Sequence, residues 1–109
     1  MIDSDSTFGL PAASVFALRA VLACHAQVSK ADIYGSRAKG NFRPGSDIDL
    51  TLFGDSLSAR ELLAIEVAID ALDLPYKVDL SLFNQIEDPA LRTHIERIGK
   101  PFYRQAAAR

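Results

Sequence analysis

Apolar residues recur along the chain in two rhythms, and the changes from one to the other mark out its elements. From Pro11 to Gln27, Val15, Leu18 and Leu22 fall three or four residues apart, with Phe16, Val21 and several alanines between them. That spacing predicts a helix, and Pro11 suits its first turn. Ala31-Asp32-Ile33-Tyr34 reads as a short strand that stops at Gly35. From Asp47 to Leu52 the rhythm becomes strict alternation, with Ile48, Leu50 and Leu52 on one face of a strand and Asp47, Asp49 and Thr51 on the other. Ser58 and Glu61 have the spacing of a capping box, and Leu62, Ile65, Ile69 and Leu72 carry a helix from Ala59 to Leu72. Leu74-Pro75 breaks it, and Tyr76 to Leu82 alternates again, with Val78, Leu80 and Leu82 opposite Lys77, Asp79 and Ser81. Asp88-Pro89 caps and opens another helix striped by Leu91, Ile95 and Ile98 and ended by Gly99. Lys100 to Arg104 follows as an edge strand, where Pro101 is tolerated.

Short strands alternating with helices predict an α+β fold, a small β-sheet flanked by α-helices. At 109 residues the chain is expected to form one domain over 1–109, with a core from about 8 to 104 and no room for an acceptor-binding domain of ordinary size. Apolar side chains spread around much of the first helix. Its alanines tolerate solvent, and the sharper reading is a second contact face for a partner.

Net charge is -2, with acidic and basic residues mixed along the chain, so nucleic acid is not the expected partner and a small anion bound at one site fits better. Cys24 is the single cysteine, which excludes an intramolecular disulfide, and it is expected to be a buried core thiol. No cysteine cluster or closely spaced histidine pair offers a zinc site. His25 and His94 sit alone on predicted helices and are not expected to be catalytic, and Tyr34, Tyr76 and Tyr103 are expected to pack rather than stack on a ligand. The first residues lack the basic start and apolar run of a signal peptide, and no membrane span is visible, so a cytoplasmic location is expected.

The chemistry concentrates between Ile33 and Leu52. Gly35-Ser36 leads into Ser36 to Lys39, predicted to form one helical turn whose free amides face an anion. Arg37, Lys39 and Arg43 are candidates for phosphate or base contacts, with simple solvation as the competing reading. Pro44-Gly45 turns the chain into the strand that carries Asp47 and Asp49, whose alpha carbons stand roughly 6.5 to 7 Å apart at strand rise. If the strand of Asp79 is a neighbour, three carboxylates meet on one face. At about 4 Å and an effective dielectric near 20, each like-charged pair repels by roughly 4 kcal/mol, so the cluster calls for a proton or a cation. Magnesium is the expected answer at neutral pH.

Gly35-Ser36, ten intervening residues and Asp47-Ile48-Asp49 resemble the signature of the DNA polymerase beta-type nucleotidyltransferases. Gly-Ser-Arg-Ala-Lys-Gly and Arg-Pro-Gly-Ser-Asp-Ile-Asp-Leu resemble their minimal (MNT) branch, and Tyr-Lys-Val-Asp-Leu supplies the third acidic position. The resemblance implies a polymerase beta palm-like fold with a mixed sheet. It implies two Mg2+ ions held by Asp47, Asp49 and Asp79, and a nucleoside triphosphate, expected to be ATP, lying across Gly35 and Ser36 with Ser36 on its terminal phosphates. It further implies transfer of a nucleotide monophosphate to a hydroxyl of a partner protein, with the chain as the antitoxin of a HEPN/MNT toxin-antitoxin pair and a helical HEPN-type protein as its partner. It leaves a homo-oligomer open. The rival expectation is a binding module that neutralises its partner by occlusion and keeps the nucleotide pocket only as a relic or sensor.

Overall fold

Strand alternates with helix through residues 7–106, the part of the chain that the computed structural model describes. The order is α1 (Ala12–Ala23), β1 (Lys30–Tyr34), α2 (Ser36–Lys39), β2 (Ile48–Phe53), α3 (Ala59–Asp70), β3 (Val78–Leu82), α4 (Pro89–Ile98) and β4 (Lys100–Arg104). The strands form one mixed sheet in the order β3-β2-β1-β4. β1 runs antiparallel to β2 and to β4, whereas β2 and β3 are parallel, and α3 makes the crossover that a parallel pair requires.

Alternation gives the sheet two unlike faces. Ala31, Ile33, Ile48, Leu50, Leu52 and Leu82 are buried on one, beneath Val15, Leu18 and Leu22 of α1 and Ile65 and Ile69 of α3. Each large apolar side chain so buried contributes about 1.5 to 3 kcal/mol relative to exposure. The opposite face is covered only in part by α4, where Ile95 is buried and Phe83 stacks on Phe53 with ring centroids 4.8 Å apart. Arg92 braces this second cluster, donating to the carbonyls of Phe83 and Ile86 and lying over the Phe83 ring.

Several boundaries differ from the pattern reading, each for a local reason. α1 stops at Ala23 rather than Gln27, since turns from His25 to Leu22 and from Val28 to His25 lead the chain down so that Val28 enters the core. Cys24 is exposed, not buried, because it lies two residues past Leu22 and so about 200° around the helix from the buried stripe. α3 ends at Asp70 instead of Leu72, and Asp73 takes a left-handed conformation with φ 56° on the way to β3. β3 starts at Val78, two residues later than the alternation suggests, leaving Tyr76 outside the ladder. β4 spans Lys100–Arg104 as read, beside β1 at the sheet edge. No helix among the described residues is long and apolar enough to cross a membrane.

The loop between α2 and β2 is held by one side chain. Arg37 is 2% exposed, and its guanidinium donates to the carbonyls of Phe8 (2.9 Å), Pro44 (3.2 Å) and, through two nitrogens, Ser46 (3.2 and 3.0 Å). It also lies between the rings of Phe42 and Tyr76, 5.1 and 5.2 Å from their centroids. Read from sequence as a phosphate or base contact, Arg37 is instead turned into the protein, where backbone carbonyls occupy its donors. Phe8 holds a left-handed conformation, φ 53°, and the bond from Arg37 to its carbonyl helps to stabilise it. Arg37→Ala is expected to cost about 3 kcal/mol of unfolding free energy in a urea melt, because it strips buried carbonyls of their donor.

Candidate active site

Strand register assembles the site. Tyr34 pairs with Asp49 across the antiparallel ladder, and Asp49 pairs with Asp79 across the parallel one, so the three form a transverse row on the polar face. Neighbouring strands stand about 4.8 Å apart. Asp47 lies just before β2, exposed at the end of the loop that Arg37 anchors. One step along the sheet the row is Asp32, Thr51 and Ser81, and there the Ser81 hydroxyl donates to Thr51 Oγ1 at 2.9 Å. In the second row the two hydroxyls are joined by their own hydrogen bond beside Asp32, whereas the first row sets two carboxylates side by side.

Gly35 makes the approach to this row. It caps α2 with φ 74°, and a Cβ in its place would collide with Oδ2 of Asp49. The turn thus needs glycine twice, for its backbone conformation and for the space that the carboxylate takes. Ser36 is the first residue of α2 and half-buried, and the four-residue helix ends at Gly40 in the left-handed region, φ 90°. Lys39 and Arg43 are exposed, and the backbone N–H of Arg43 donates to Ser46 Oγ at 2.8 Å.

Burial and like charge act together on the electrostatics. The Asp49 carboxyl is raised above its ordinary range, first by burial and then by the charges of Asp79 and Asp47, with His94 and Lys77 partly offsetting them. Tyr34 is also raised, chiefly by burial, while a hydrogen bond with Ser81 opposes the shift and Asp49 and Asp79 add to it. Among the described residues no three His, Cys, Asp or Glu side chains are drawn together closely enough to grip a metal as they stand. The donor set nevertheless fits a hard divalent cation: the donors are carboxylate oxygens, and Asp49 carries repulsion that such a cation would relieve. Asp47, Asp49 and Asp79 are the residues that would hold it.

The polymerase beta nucleotidyltransferase family matches residues 17–107, nearly the whole chain. The chain belongs to this family. No curated protein matches it by sequence. Among solved structures, a toxin-antitoxin crystallised with AMP-PNP is similar over 85% of this chain and 73% of its own, at 20% identity and a TM-score of 0.61. The toxin-antitoxin MntA-HpeT, in a form with two aspartates exchanged for glutamate, is similar over 72% of this chain and 62% of its own, at 18% identity and 0.54. A putative nucleotidyltransferase from Sulfolobus solfataricus is similar over 84% and 77%, at 14% identity and 0.53. At these identities the likeness is one of fold, and the fold is that of a nucleotidyltransferase with a four-stranded mixed sheet.

Two residues that flank the carboxylate row were not placed there by the sequence reading. The Tyr34 and His94 rings meet edge to face with centroids 6.2 Å apart, and His94 is close enough to Asp49 to offset part of its repulsion. Tyr34 had a signal, since it ends the strand before Gly-Ser and shares the parity of the polar face. His94 had none, because only the docking of α4 brings it there.

Two outcomes follow from this geometry. Gly35→Ala is expected to leave the protein folded but to displace Asp49, lowering nucleotidyl transfer by about 100-fold or more in a rate assay. Because Asp49 titrates above its unfolded value, the stability linked to its proton is fully present below about pH 3.9 and is lost as pH rises through the folded value. Asp49→Asn should therefore melt at or above the wild-type temperature at pH 7, with the difference closing toward pH 4 and also on adding magnesium. A lower melting temperature for Asp49→Asn at pH 7 would contradict the repulsion.

Proposed function

We propose that the protein is a magnesium-dependent nucleotidyltransferase that moves a nucleotide monophosphate, AMP from ATP, onto a hydroxyl of a partner protein, as the antitoxin of a HEPN/MNT-type pair. The observation that carries this reading is that strand register sets Asp49 beside Asp79, with Asp47 near enough to act on Asp49, next to the Gly35-Ser36 turn. It is supported by the family match and by similarity to toxin-antitoxin proteins, one of them crystallised with AMP-PNP.

The reaction is an in-line displacement at the alpha-phosphorus: the acceptor oxygen forms a bond to phosphorus as the bond to pyrophosphate breaks. Ser36 contacts the terminal phosphates, and Gly35 lets the nucleotide approach Asp49. Asp79 stands at the exposed end of the carboxylate row, where it accepts the acceptor's proton. Magnesium bound by the three aspartates would acidify the attacking hydroxyl and neutralise charge on the leaving pyrophosphate. The acceptor hydroxyl comes from the partner.

A second reading, neutralisation by occlusion alone, is favoured by one observation: Phe16, Leu63 and Val67 are 75%, 61% and 62% exposed on α1 and α3, an apolar surface without a function in transfer. A single assay separates the two. With labelled ATP, magnesium and the partner, Asp47→Asn and Asp49→Asn should each lower label transfer about 100-fold or more, the several kcal/mol that metal-assisted charge stabilisation supplies. Undiminished transfer by either variant would overturn the catalytic reading, and full silencing of the partner by the triple Asp variant would favour occlusion.

A further inference from the structure

Grooves on the described surface differ in the charge of their linings. The groove beside β3 is lined by Glu66, Asp70 and Asp73 against Lys77 alone. The groove beneath the Phe53–Phe83 stack has Asp32 and Glu96 against Lys30. The groove between α2 and α4, about 530 Å³, is lined by Lys39, Thr93, His94 and Arg97 over Pro89 and Ile98, with no carboxylate among the described residues that line it. It is also the groove that meets the carboxylate row, since His94 forms part of its wall and abuts Tyr34.

A nucleoside triphosphate is strongly anionic, and the row of Asp49 and Asp79 repels it. Its tail must lie where cations compensate, within reach of that row. Arg37 is excluded, since backbone carbonyls occupy it in the interior. Lys39 and Arg97 are both exposed, they stand on opposite walls of the groove, and neither is tied to another side chain among the described residues. The volume lies within the range of small-molecule sites, roughly 300 to 1,000 Å³.

We infer that the groove between α2 and α4 seats the polyphosphate tail of the donor nucleotide, held between Lys39 and Arg97. The inference rests on the nucleotidyl-transfer reading above and adds to it a donor-binding residue, Arg97, that lies on a helix far from the Gly-Ser and Asp-x-Asp motifs in sequence. Thr93, one turn before Arg97, adds a hydroxyl to the same wall.

Binding measured without any acceptor tests this directly, with ATP, AMP and inorganic tripolyphosphate as separate probes in the presence of magnesium. Arg97→Ala should weaken ATP and tripolyphosphate by about tenfold each and leave AMP unchanged, with an unaltered melting temperature because Arg97 is exposed. Arg97→Lys should recover most of the loss. In transfer assays Arg97→Ala should raise KM for ATP more than it lowers kcat. Equal weakening of AMP and ATP would overturn the inference in favour of a base or sugar subsite. Unchanged ATP and tripolyphosphate binding, or a rise in KM confined to the protein acceptor, would overturn it while leaving the transfer reading intact. Conversely, a wild-type protein that binds ATP and tripolyphosphate with the expected Arg97 dependence but transfers no label to its partner would sink the transfer reading and uphold the groove.

Discussion

A buried guanidinium holds the loop between α2 and β2 in shape. Removing Arg37 from water is costly, and the surroundings offset that cost with backbone carbonyls and two aromatic faces. These partners come from places distant in sequence: Phe8 ahead of α1, Pro44 and Ser46 before β2, Phe42 in the loop and Tyr76 ahead of β3. One planar cation therefore ties the N-terminal lead-in, the loop and the approach to the third acidic strand to a single point. A lysine has neither the fork of donors nor the flat face for this task. The chain directly after Ser46 enters β2 with Asp47 and Asp49 in position, so the placement of the carboxylates depends on a residue that touches none of them.

The sheet that follows keeps its two faces for opposite purposes. Its apolar face supplies the core under α1 and α3, while its polar face gathers negative charge in one row and joins two hydroxyls in the next. Burial first, and then the charges of Asp79 and Asp47, raise Asp49 in the protein alone. A cation bound there would relieve this conflict, and perturbed carboxylates of this kind are common where a fold departs from optimal packing for function. α4 then covers only part of the polar face. Ile95 and Phe83 secure it there, His94 meets Tyr34, and the neighbouring turns carry Thr93 and Arg97 to the groove beside α2. The helix thus joins a small apolar cluster to a cationic wall next to an acidic row.

Most of the elements were legible because their signals are local. Alternation around Asp49 and Asp79, the Ser58–Glu61 capping box and the Asp88-Pro89 start all survive as read, because each depends on residues a few positions apart. Boundaries moved where packing took over: Val28 drew the chain away from α1 early, and Tyr76 left the β3 ladder to lie under Arg37. Cys24 illustrates a smaller lesson, since residue type alone favours burial and the angular position on α1 puts it in solvent.

Sequence alone determined which residues make up the candidate site: a Gly-Ser turn, an Asp doublet on one strand face and a third aspartate on another strand, all readable because side-chain parity along a strand does not depend on distant contacts. Tertiary structure alone decided which charges face the interior and which face the groove beside the carboxylate row. Of the loop cations, Arg37 was claimed by the interior and Lys39 and Arg43 were left outside. His94 and Arg97, silent in the pattern, were carried to Tyr34 and to the groove beside α2 by the docking of α4. Charge is a property of the residue, but its direction is a property of the fold: a guanidinium goes wherever unpaired carbonyls and aromatic faces are assembled for it, and only the folded chain assembles them.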